Sequence, residues 1–222
     1  MSTDRSLVLD AIFYSIPQLT ILQGAYVKVL AGQICGLIGR NGCGKTTLIK
    51  VAAGQLSANS GITIVNGDRM VGKRRGQRFE HIAYLPQDSM LPVDIQVGGL
   101  LKRCGQAHLT DLDFFRPLLH AEVRELSGGE RRYLEVMIVL GLNRPYILLD
   151  EPFTGIEPRI TEMITGELKE ASRKGAGILL SDHYLHYLLP IIDDAYLMQS
   201  KQCVHLQGDF RQELKRLGYV RG

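Results

Sequence analysis

The stretch that decides the fold is Gly39-Arg40-Asn41-Gly42-Cys43-Gly44-Lys45-Thr46-Thr47. Gly39 and Gly44 stand at the spacing from Lys45 and Thr46 that is typical of a phosphate-binding loop. Glycines let backbone N–H groups converge on phosphate oxygens, and a helix that follows the loop turns its positive end towards the anion. Lys45 would meet the β- and γ-phosphates, and the Thr46 hydroxyl suits Mg²⁺, which prefers oxygen ligands. The loop therefore predicts a nucleoside triphosphate with Mg²⁺ as the ligand.

Hydrophobic patterning places this loop between a strand, 33–38, and a helix, 46–53, that Gly54 closes. Downstream, short apolar runs alternate with amphipathic stretches, which favours a mostly parallel sheet. The predicted strands are 61–66, 81–85, 146–149 and 177–181, and the predicted helices are 130–142, 159–174 and 210–217. Two N-terminal runs, 7–12 and 25–30, are typical of antiparallel strands. The predicted fold class is α/β: a P-loop NTPase core with a mixed, mostly parallel sheet, an N-terminal antiparallel β portion and a short helical insert.

Composition excludes several other classes of protein. The chain has 222 residues, of which 45% are hydrophobic and 22% charged, as in a globular domain and unlike a disordered or coiled-coil chain. A net charge of +3 gives no reason to expect a nucleic-acid partner. The four cysteines form no CxxC pair, so we expect reduced thiols rather than zinc. The polar start indicates no signal peptide, and no apolar run reaches the roughly 18 residues of a membrane helix. The basic run 73–78 is expected to be a solvated loop.

A second candidate element is Tyr146-Ile147-Leu148-Leu149-Asp150-Glu151, a buried strand that ends in two adjacent carboxylates. Ligands of parallel sheets gather at the carboxyl ends of the strands. We expect Asp150 to hold the metal through its water shell and Glu151 to act as a general base on the attacking water. Adjacent acids at a strand end also occur in ordinary turns, so this element alone does not decide between the two interpretations.

The third element is Leu126-Ser127-Gly128-Gly129-Glu130, in which Ser127 and Glu130 have the spacing of a helix-capping box. The same geometry lets the Ser127 hydroxyl and the amides of Gly128 and Gly129 bind an anion. Both interpretations can hold together, and the functional one gives the chain a second phosphate-binding surface.

Two single residues matter by their position after predicted strands. Gln87 follows 81–85, where its amide could reach the metal or water, and His183 follows 177–181, where it could bond the γ-phosphate. A lone Gln or His in a loop is more often structural, but the neighbouring motifs favour a functional role for both.

In this combination the chain resembles the ATP-binding-cassette (ABC) ATPases from about Leu7 to its end. The motifs that carry the resemblance stand in the family's order: 39–47 as Walker A, Gln87 as the Q-loop, 126–130 as the signature, 146–151 as Walker B and His183 as the switch histidine. The resemblance implies ATP and Mg²⁺ as cofactors, with Asn41, Gly42, Cys43 and Thr47 among the loop residues that bind ATP, and Gln87 as a possible metal ligand. Tyr14 is a candidate for the aromatic residue that stacks on adenine.

The resemblance also implies how the two anion surfaces are used. In this family, two copies pack head to tail, and each nucleotide lies between the Walker motifs of one copy and the signature of the other. Ser127 would then act in trans; ATP would close the dimer, and hydrolysis would let it open. The chain would be one nucleotide-binding domain over 1–222 with a helical subdomain at about 88–142. It would sit on the cytoplasmic face of a membrane and drive separate membrane subunits.

Three features depart from the family's pattern. Glu130 stands where the signature usually has Gln, and Glu157 stands where the family usually has Asp after Walker B. The interval from Gln87 to Ser127 is short for the helical subdomain that normally contacts the membrane partner, and the apolar residues Met90, Leu91 and Val93 lie just after Gln87. Locally, 152–158 and 181–183 look most like the ATPases of lipopolysaccharide export and branched-chain amino-acid import.

An alternative is an ABC ATPase without a transport role, acting in DNA repair, translation or cofactor assembly. Many such proteins carry a coiled-coil insertion or two cassettes, and this chain has one cassette with about a hundred residues between its Walker motifs. A kinase or GTPase on the same loop is disfavoured, because the Asn-Lys-x-Asp motif that reads guanine is absent.

Overall fold

A computed structural model describes residues 5–70 and 78–220 of the chain. Most of the basic run 73–78 therefore lies outside the described residues. The strands are β1 (Ser6–Ile16), β2 (Leu19–Leu30), β3 (Ile34–Ile38), β4 (Ser60–Val65), β5 (Asp68–Arg69), β6 (Ile82–Leu85), β7 (Tyr146–Asp150), β8 (Gly177–Ser181), β9 (Asp194–Gln199) and β10 (Gln202–His205). The α-helices are α1 (Lys45–Ala52), α2 (Val97–Arg103), α3 (Gly128–Gly141), α4 (Pro158–Arg173), α5 (Leu185–Leu188) and α6 (Phe210–Arg216).

The central layer is a six-stranded sheet in the order β10-β9-β3-β8-β7-β6. All neighbouring strands in it are parallel except β9 and β10, which form an antiparallel pair. The inner strands β3, β7 and β8 are buried along their whole length, which explains their continuous apolar sequences. The expectation of an α/β fold with a mixed, mostly parallel sheet is confirmed.

This sheet order brings the candidate motifs together. Strands β3, β8, β7 and β6 are consecutive in the sheet, so their carboxyl ends meet at one edge. The phosphate loop follows β3, His183 follows β8, Asp150 ends β7 and Gln87 follows β6. One edge of the sheet thus carries four of the five candidate motifs, in the place where parallel sheets bind ligands.

A second, antiparallel sheet in the order β2-β1-β4-β5 packs over the first. Its strands β1 and β2 are longer than the predicted 7–12 and 25–30, and the register shifts between Leu9 and Ile12. At this bulge Ala11 has φ 48°, and Gly61 of β4 approaches so closely that a Cβ there would collide with the Ala11 carbonyl oxygen. The bulge breaks the alternation of apolar and polar residues, which is why the pattern alone predicted shorter strands.

Between Gln87 and Ser127 lie helix α2 and three short 3₁₀ helices, Ala107–Asp111, Arg116–Leu118 and Val123–Glu125. The turn before Arg116–Leu118 packs on the start of α3 through aromatic rings: Phe115 stacks on Tyr133 at 5.5 Å between centroids, and Phe114 meets both rings edge-on. The segment therefore shares one hydrophobic core with the parallel sheet. Leu91 packs against that core, whereas Met90 and Val93 are exposed by 44% and 45%.

Over residues 5–70 and 78–220, none of the helices combines the length and the apolar character that crossing a membrane requires.

Candidate active site

The phosphate loop is shaped by glycines and held from inside by its own lysine. Lys45 is only 5% exposed, and its Nζ donates to the carbonyl oxygens of Gly39 at 2.8 Å and Arg40 at 3.3 Å. A Cβ on Gly39 would lie 2.6 Å from the Cys43 sulfur and 2.9 Å from the Met198 carbonyl oxygen, so only glycine fits there. The ammonium group is thus fixed under the loop, where a bound phosphate would meet it.

Helix α1 begins directly at the end of this loop. Gly44, its N-cap residue, has φ 113°, a conformation open to glycine, and no side chain caps the helix. No acidic residue lies in the first turn, so no carboxylate there competes with a bound anion for the N–H groups at the helix start. Asn41 and Gly42 are exposed at the tip of the loop, and Thr46 and Thr47 are half-buried in the first helical turn.

Asp150 lies fully buried at the end of β7. Its Oδ1 accepts a hydrogen bond of 2.6 Å from the Ser181 hydroxyl, and its Oδ2 has no hydrogen-bond partner among the described residues. An open acceptor on a buried carboxylate is costly unless a cation or an ordered water completes it. The open carboxylate oxygen of Asp150 and the Thr46 hydroxyl are both oxygens of the kind that Mg²⁺ with its water shell prefers.

The next residue, Glu151, is the point on which three other side chains converge. Its Oε2 accepts from Gln87 Nε2 at 3.2 Å and from Thr154 Oγ1 at 3.3 Å, and it lies 3.5 Å from His183 Nδ1. Its φ of 49° is unusual for a residue with a side chain and turns the carboxylate out of the strand direction. Its N–H donates to the Ser181 carbonyl oxygen at 2.9 Å, which holds this conformation.

His183 is positioned by the buried carboxylate before it. Asp182 accepts from the N–H of Phe153 at 3.1 Å and from the N–H of Tyr184 at 2.9 Å, so it ties the loop after β7 to the loop after β8. Burial raises the pKa of Asp182, and the two N–H bonds and nearby His183 act in the opposite direction. The Nδ1 of His183 is buried and has no hydrogen-bond partner in the described part of the chain, although it lies 3.5 Å from Glu151 Oε2.

The signature residues lie on another element, at the start of α3. The Ser127 hydroxyl accepts from the Glu130 N–H at 3.2 Å, and the Glu130 carboxylate accepts from the Ser127 N–H at 2.8 Å. Glu130 therefore completes the capping box, as expected from its spacing. Ser127 and Gly128 are exposed to solvent, and a Cβ on Gly128 would meet no atom within 4 Å. This helix start is therefore exposed and lies on a different element from the strand ends that meet around Asp150.

Tyr14 lies on β1, in register with Leu22 of β2, and is half-buried against the core cluster of the antiparallel sheet. Leu22 and Ile21 are the side chains that a Cβ on Gly44 would meet, at 3.1 and 3.3 Å. Tyr14 is therefore one strand away from the residues that touch the phosphate loop.

Three further residues contact the site and were not predicted as site residues: Ser181, Thr154 and Arg132. Ser181 bonds Asp150, Thr154 bonds Glu151, and Arg132 of α3 donates to the carbonyl oxygen of Asp150 at 2.9 Å. Ser181 ends a strand beside β7, so the strand-end rule that selected Asp150 could have found it. Arg132 carried no such signal, because a charged residue on an amphipathic helix is usually solvated.

A glycine-rich loop lies between β3 and α1, and β7 ends in the buried Asp150, followed by Glu151, which three side chains surround. This combination is typical of a P-loop nucleoside triphosphatase. The family model described as ABC transporter matches residues 22–154. The chain therefore belongs to the ABC transporter family, in which it is an ATP-binding subunit and an ATPase.

Relatives and solved structures agree with this assignment. The chain is 30% identical over 206 residues to the lipopolysaccharide export system ATP-binding protein LptB of Escherichia coli (strain K12), covering 80% of each chain. It is 31% identical over 204 residues to a probable ABC transporter ATP-binding protein of Azorhizobium caulinodans, covering 85% of this chain and 72% of the relative. A nucleotide-free ATP-binding cassette from an ABC transporter shares the fold with a TM-score of 0.80 at 23% identity, over 97% of this chain and 96% of that structure.

Proposed function

We propose that Glu151 is the general base of ATP hydrolysis. The residues at the strand ends, Gln87, Asp150 and His183, would position the reacting groups around it. The observation that carries this proposal is the convergence of Gln87, Thr154 and His183 on Glu151 Oε2, beside the open oxygen of Asp150. A carboxylate held by several donors is fixed in direction, which a general base needs in order to meet one particular water.

Each residue then has a stated role in the reaction. Glu151 accepts a proton from the water that attacks the γ-phosphorus, and the bond from that phosphorus to the bridging oxygen of ADP breaks. Lys45 and the N–H groups at the start of α1 neutralise the charge on the phosphate oxygens. His183 bonds the γ-phosphate from the side of Glu151, and Gln87 keeps the carboxylate aligned.

Asp150 and Thr46 would hold Mg²⁺, and Gln87 is the further candidate ligand. When bound, the ion polarises the β- and γ-phosphate oxygens. The Ser181 hydroxyl bonds Asp150 Oδ1 at 2.6 Å, so Oδ2 is the oxygen with which Asp150 would hold the ion.

We further propose that two copies pack head to tail, so that Ser127, Gly128 and Gly129 of one copy cover the ATP held by the other. The support is the exposed, outward-facing position of this helix start, together with its capping geometry. ATP would join the copies, and its hydrolysis would separate them.

We propose integral membrane subunits as the other partners and the cytoplasmic face of a membrane as the location. The exposed side chains of Met90 and Val93 follow Gln87 directly, so a partner that contacts them could sense the state of the site. In this proposal the whole chain is one nucleotide-binding domain, with residues 88–142 as its helical subdomain.

Exchange of Glu151 for Gln tests the general base. Glu151→Gln keeps the size and most hydrogen bonds of the side chain but removes its basicity. We expect the turnover rate to fall by about 100-fold or more, the scale of general base catalysis, while the affinity for MgATP stays near wild type. Turnover is measured by phosphate release and affinity by equilibrium binding.

Glu162→Gln is the matched control, because Glu162 is an exposed carboxylate on α4 that takes part in none of the contacts described around Glu151. It should leave both quantities unchanged. Turnover near the wild-type rate in Glu151→Gln would exclude Glu151 as the base.

A further inference from the structure

Arg132 of α3 is a buried arginine that reaches two separate parts of the active site. Its side chain is 8% exposed. Nη1 donates to the Pro86 carbonyl oxygen at 2.8 Å, just before Gln87, and Nη2 donates to the carbonyl oxygens of Asp150 at 2.9 Å and Glu151 at 3.3 Å. One guanidinium therefore joins the loop that carries Gln87 to the strand end that carries Glu151.

Glu135 lies one helical turn further along α3 and completes this arrangement. Its Oε2 accepts from Arg132 Nη1 at 3.0 Å. Its Oε1 accepts from the Ser89 hydroxyl at 2.6 Å and from the Met90 N–H at 3.1 Å. Arg132 thus holds the loop immediately before Gln87, and Glu135 holds it immediately after.

Stability alone is a weak reason for such a pair. Removing two charges from water costs free energy that their attraction often fails to offset, and an apolar pair of similar volume is frequently as stable. An apolar pair, however, cannot bond three carbonyl oxygens from two different segments. The planar guanidinium with its several donors is suited to this task, and the fixed charge of Glu135 orients it.

We propose that Arg132 and Glu135 act as a positioning clamp that sets the carboxylate of Glu151 against Gln87. The backbone of Glu151, with its φ of 49°, is bonded on one side by Ser181 and on the other by Arg132. The clamp also stands on the helix that begins at Ser127, so movement of the signature helix is transmitted to the carboxylate. This inference rests on the proposed role of Glu151 as general base.

The test replaces both members at once, so that no single charge is left buried. In Arg132→Met/Glu135→Met the helix and its packing remain, but the bonds to Pro86, Asp150, Glu151, Ser89 and Met90 are lost. We expect turnover to fall roughly 10- to 100-fold, because a displacement of about 1 Å at a reacting group has an effect of that size. The affinity for MgATP should change less than about threefold, since the phosphate loop is untouched.

Two further variants keep the outcome interpretable. Tyr133 lies on the same helix as Arg132, and its hydroxyl bonds Glu167 of α4 at 3.3 Å rather than Gln87 or Glu151. Tyr133→Phe removes this hydroxyl and should leave turnover unchanged. Arg132→Lys keeps the positive charge but loses the planar guanidinium, so its turnover should lie between those of the double variant and the wild type. This single variant also tests the clamp if the double variant does not fold. Equal losses in Tyr133→Phe, or wild-type turnover in Arg132→Lys and in the double variant, would overturn the clamp.

Combination with Glu151→Gln separates the clamp from the base assignment. If the clamp acts through Glu151, adding the double substitution to Glu151→Gln should lower the single-turnover rate by much less than it lowers the wild-type rate. Losses that multiply would show that the pair acts elsewhere. Fast hydrolysis by Glu151→Gln alone would refute the proposed base instead, independently of the clamp.

Discussion

At the scale of single residues, the buried carboxylate of Asp150 depends on one hydroxyl. Ser181 Oγ, fully buried, donates to Asp150 Oδ1 at 2.6 Å, and no other described group bonds that carboxylate. The Ser181→Ala variant should lose about 1–3 kcal/mol of unfolding free energy, because a buried acceptor is left without a donor. ATP hydrolysis should also require a higher Mg²⁺ concentration for half-maximal rate, since Asp150 is no longer oriented. Denaturant unfolding and Mg²⁺ titration of turnover measure the two effects.

Ser172→Ala provides the comparison, because Ser172 is a buried serine on α4 at the opposite end of the structure from Asp150. Its Mg²⁺ requirement should match the wild type. A Ser181→Ala variant that loses stability but keeps the wild-type Mg²⁺ requirement would contradict the proposed metal-binding role of Asp150.

The residues of the site differ in how far the sequence could predict them. Gln87, Asp150, Glu151 and His183 each follow a short apolar run, so their meeting at one edge of the sheet follows from the parallel topology. Arg132 is 46 positions from Pro86 and 18 from Asp150, and Ser181 is 31 from Asp150. Such contacts depend on how helix and strands pack, which a pattern along the chain does not contain.

At the scale of elements, the strands that are buried at every position were predicted most easily from the sequence. Strands β3, β7 and β8 are buried on both faces and read as continuous apolar runs. Strands β9 and β10 were not predicted. The edge argument applies to β10, a short edge strand with polar residues, whereas β9 is an inner strand with residues 195–198 buried. At an edge, one side of a strand faces water, and the apolar signal weakens.

One side-chain contact between the two sheets gives a prediction about pH. The Tyr146 hydroxyl at the start of β7 donates to Asn66 Oδ1 at 2.6 Å, and burial raises the pKa of Tyr146 to about 12, although Arg5 acts in the opposite direction. Between about pH 10 and 12 the unfolded chain loses this proton before the folded chain does, so the free energy of unfolding falls as pH rises. Tyr146→Phe lacks the titration and should be less stable than wild type at pH 8 by about 1 kcal/mol. The difference should shrink steadily above pH 10 in urea unfolding.

The Asn66→Gly variant separates titration from the hydrogen bond. Glycine accepts the φ of 51° at this turn and removes the acceptor while the phenol stays buried. Its stability difference from the wild type should stay nearly constant above pH 10, because burial rather than the bond to Asn66 raises the pKa. A constant difference in Tyr146→Phe as well would mean that Tyr146 titrates normally in the folded protein.

At the scale of the whole molecule, the two surfaces proposed to bind anions lie on different elements of the fold. The phosphate loop follows β3 at the strand ends, and the start of α3 exposes Ser127 and Gly128 to solvent. A head-to-tail pair of copies would use both surfaces in each of two sites. The small net charge of +3 agrees with this arrangement, because oriented N–H groups and one buried lysine bind phosphate without a basic surface.

Mixing two inactive variants tests whether the signature acts in trans. Lys45→Ala removes the cation under the phosphate loop, and Gly128→Asp adds a negative charge at the signature, where a Cβ meets no atom within 4 Å, so that the fold is kept. Each variant alone should be inactive. In a mixed dimer one site collects both defects and the other has none. If copies pair at random, half of the dimers are mixed, so an equal mixture should recover about a quarter of wild-type turnover.

A mixture of Lys45→Ala with Asp150→Asn, whose defects both lie beside the phosphate loop, should recover nothing. Turnover that stays absent in the first mixture, although both variants bind each other, would place the signature in the same copy's site and refute the head-to-tail dimer.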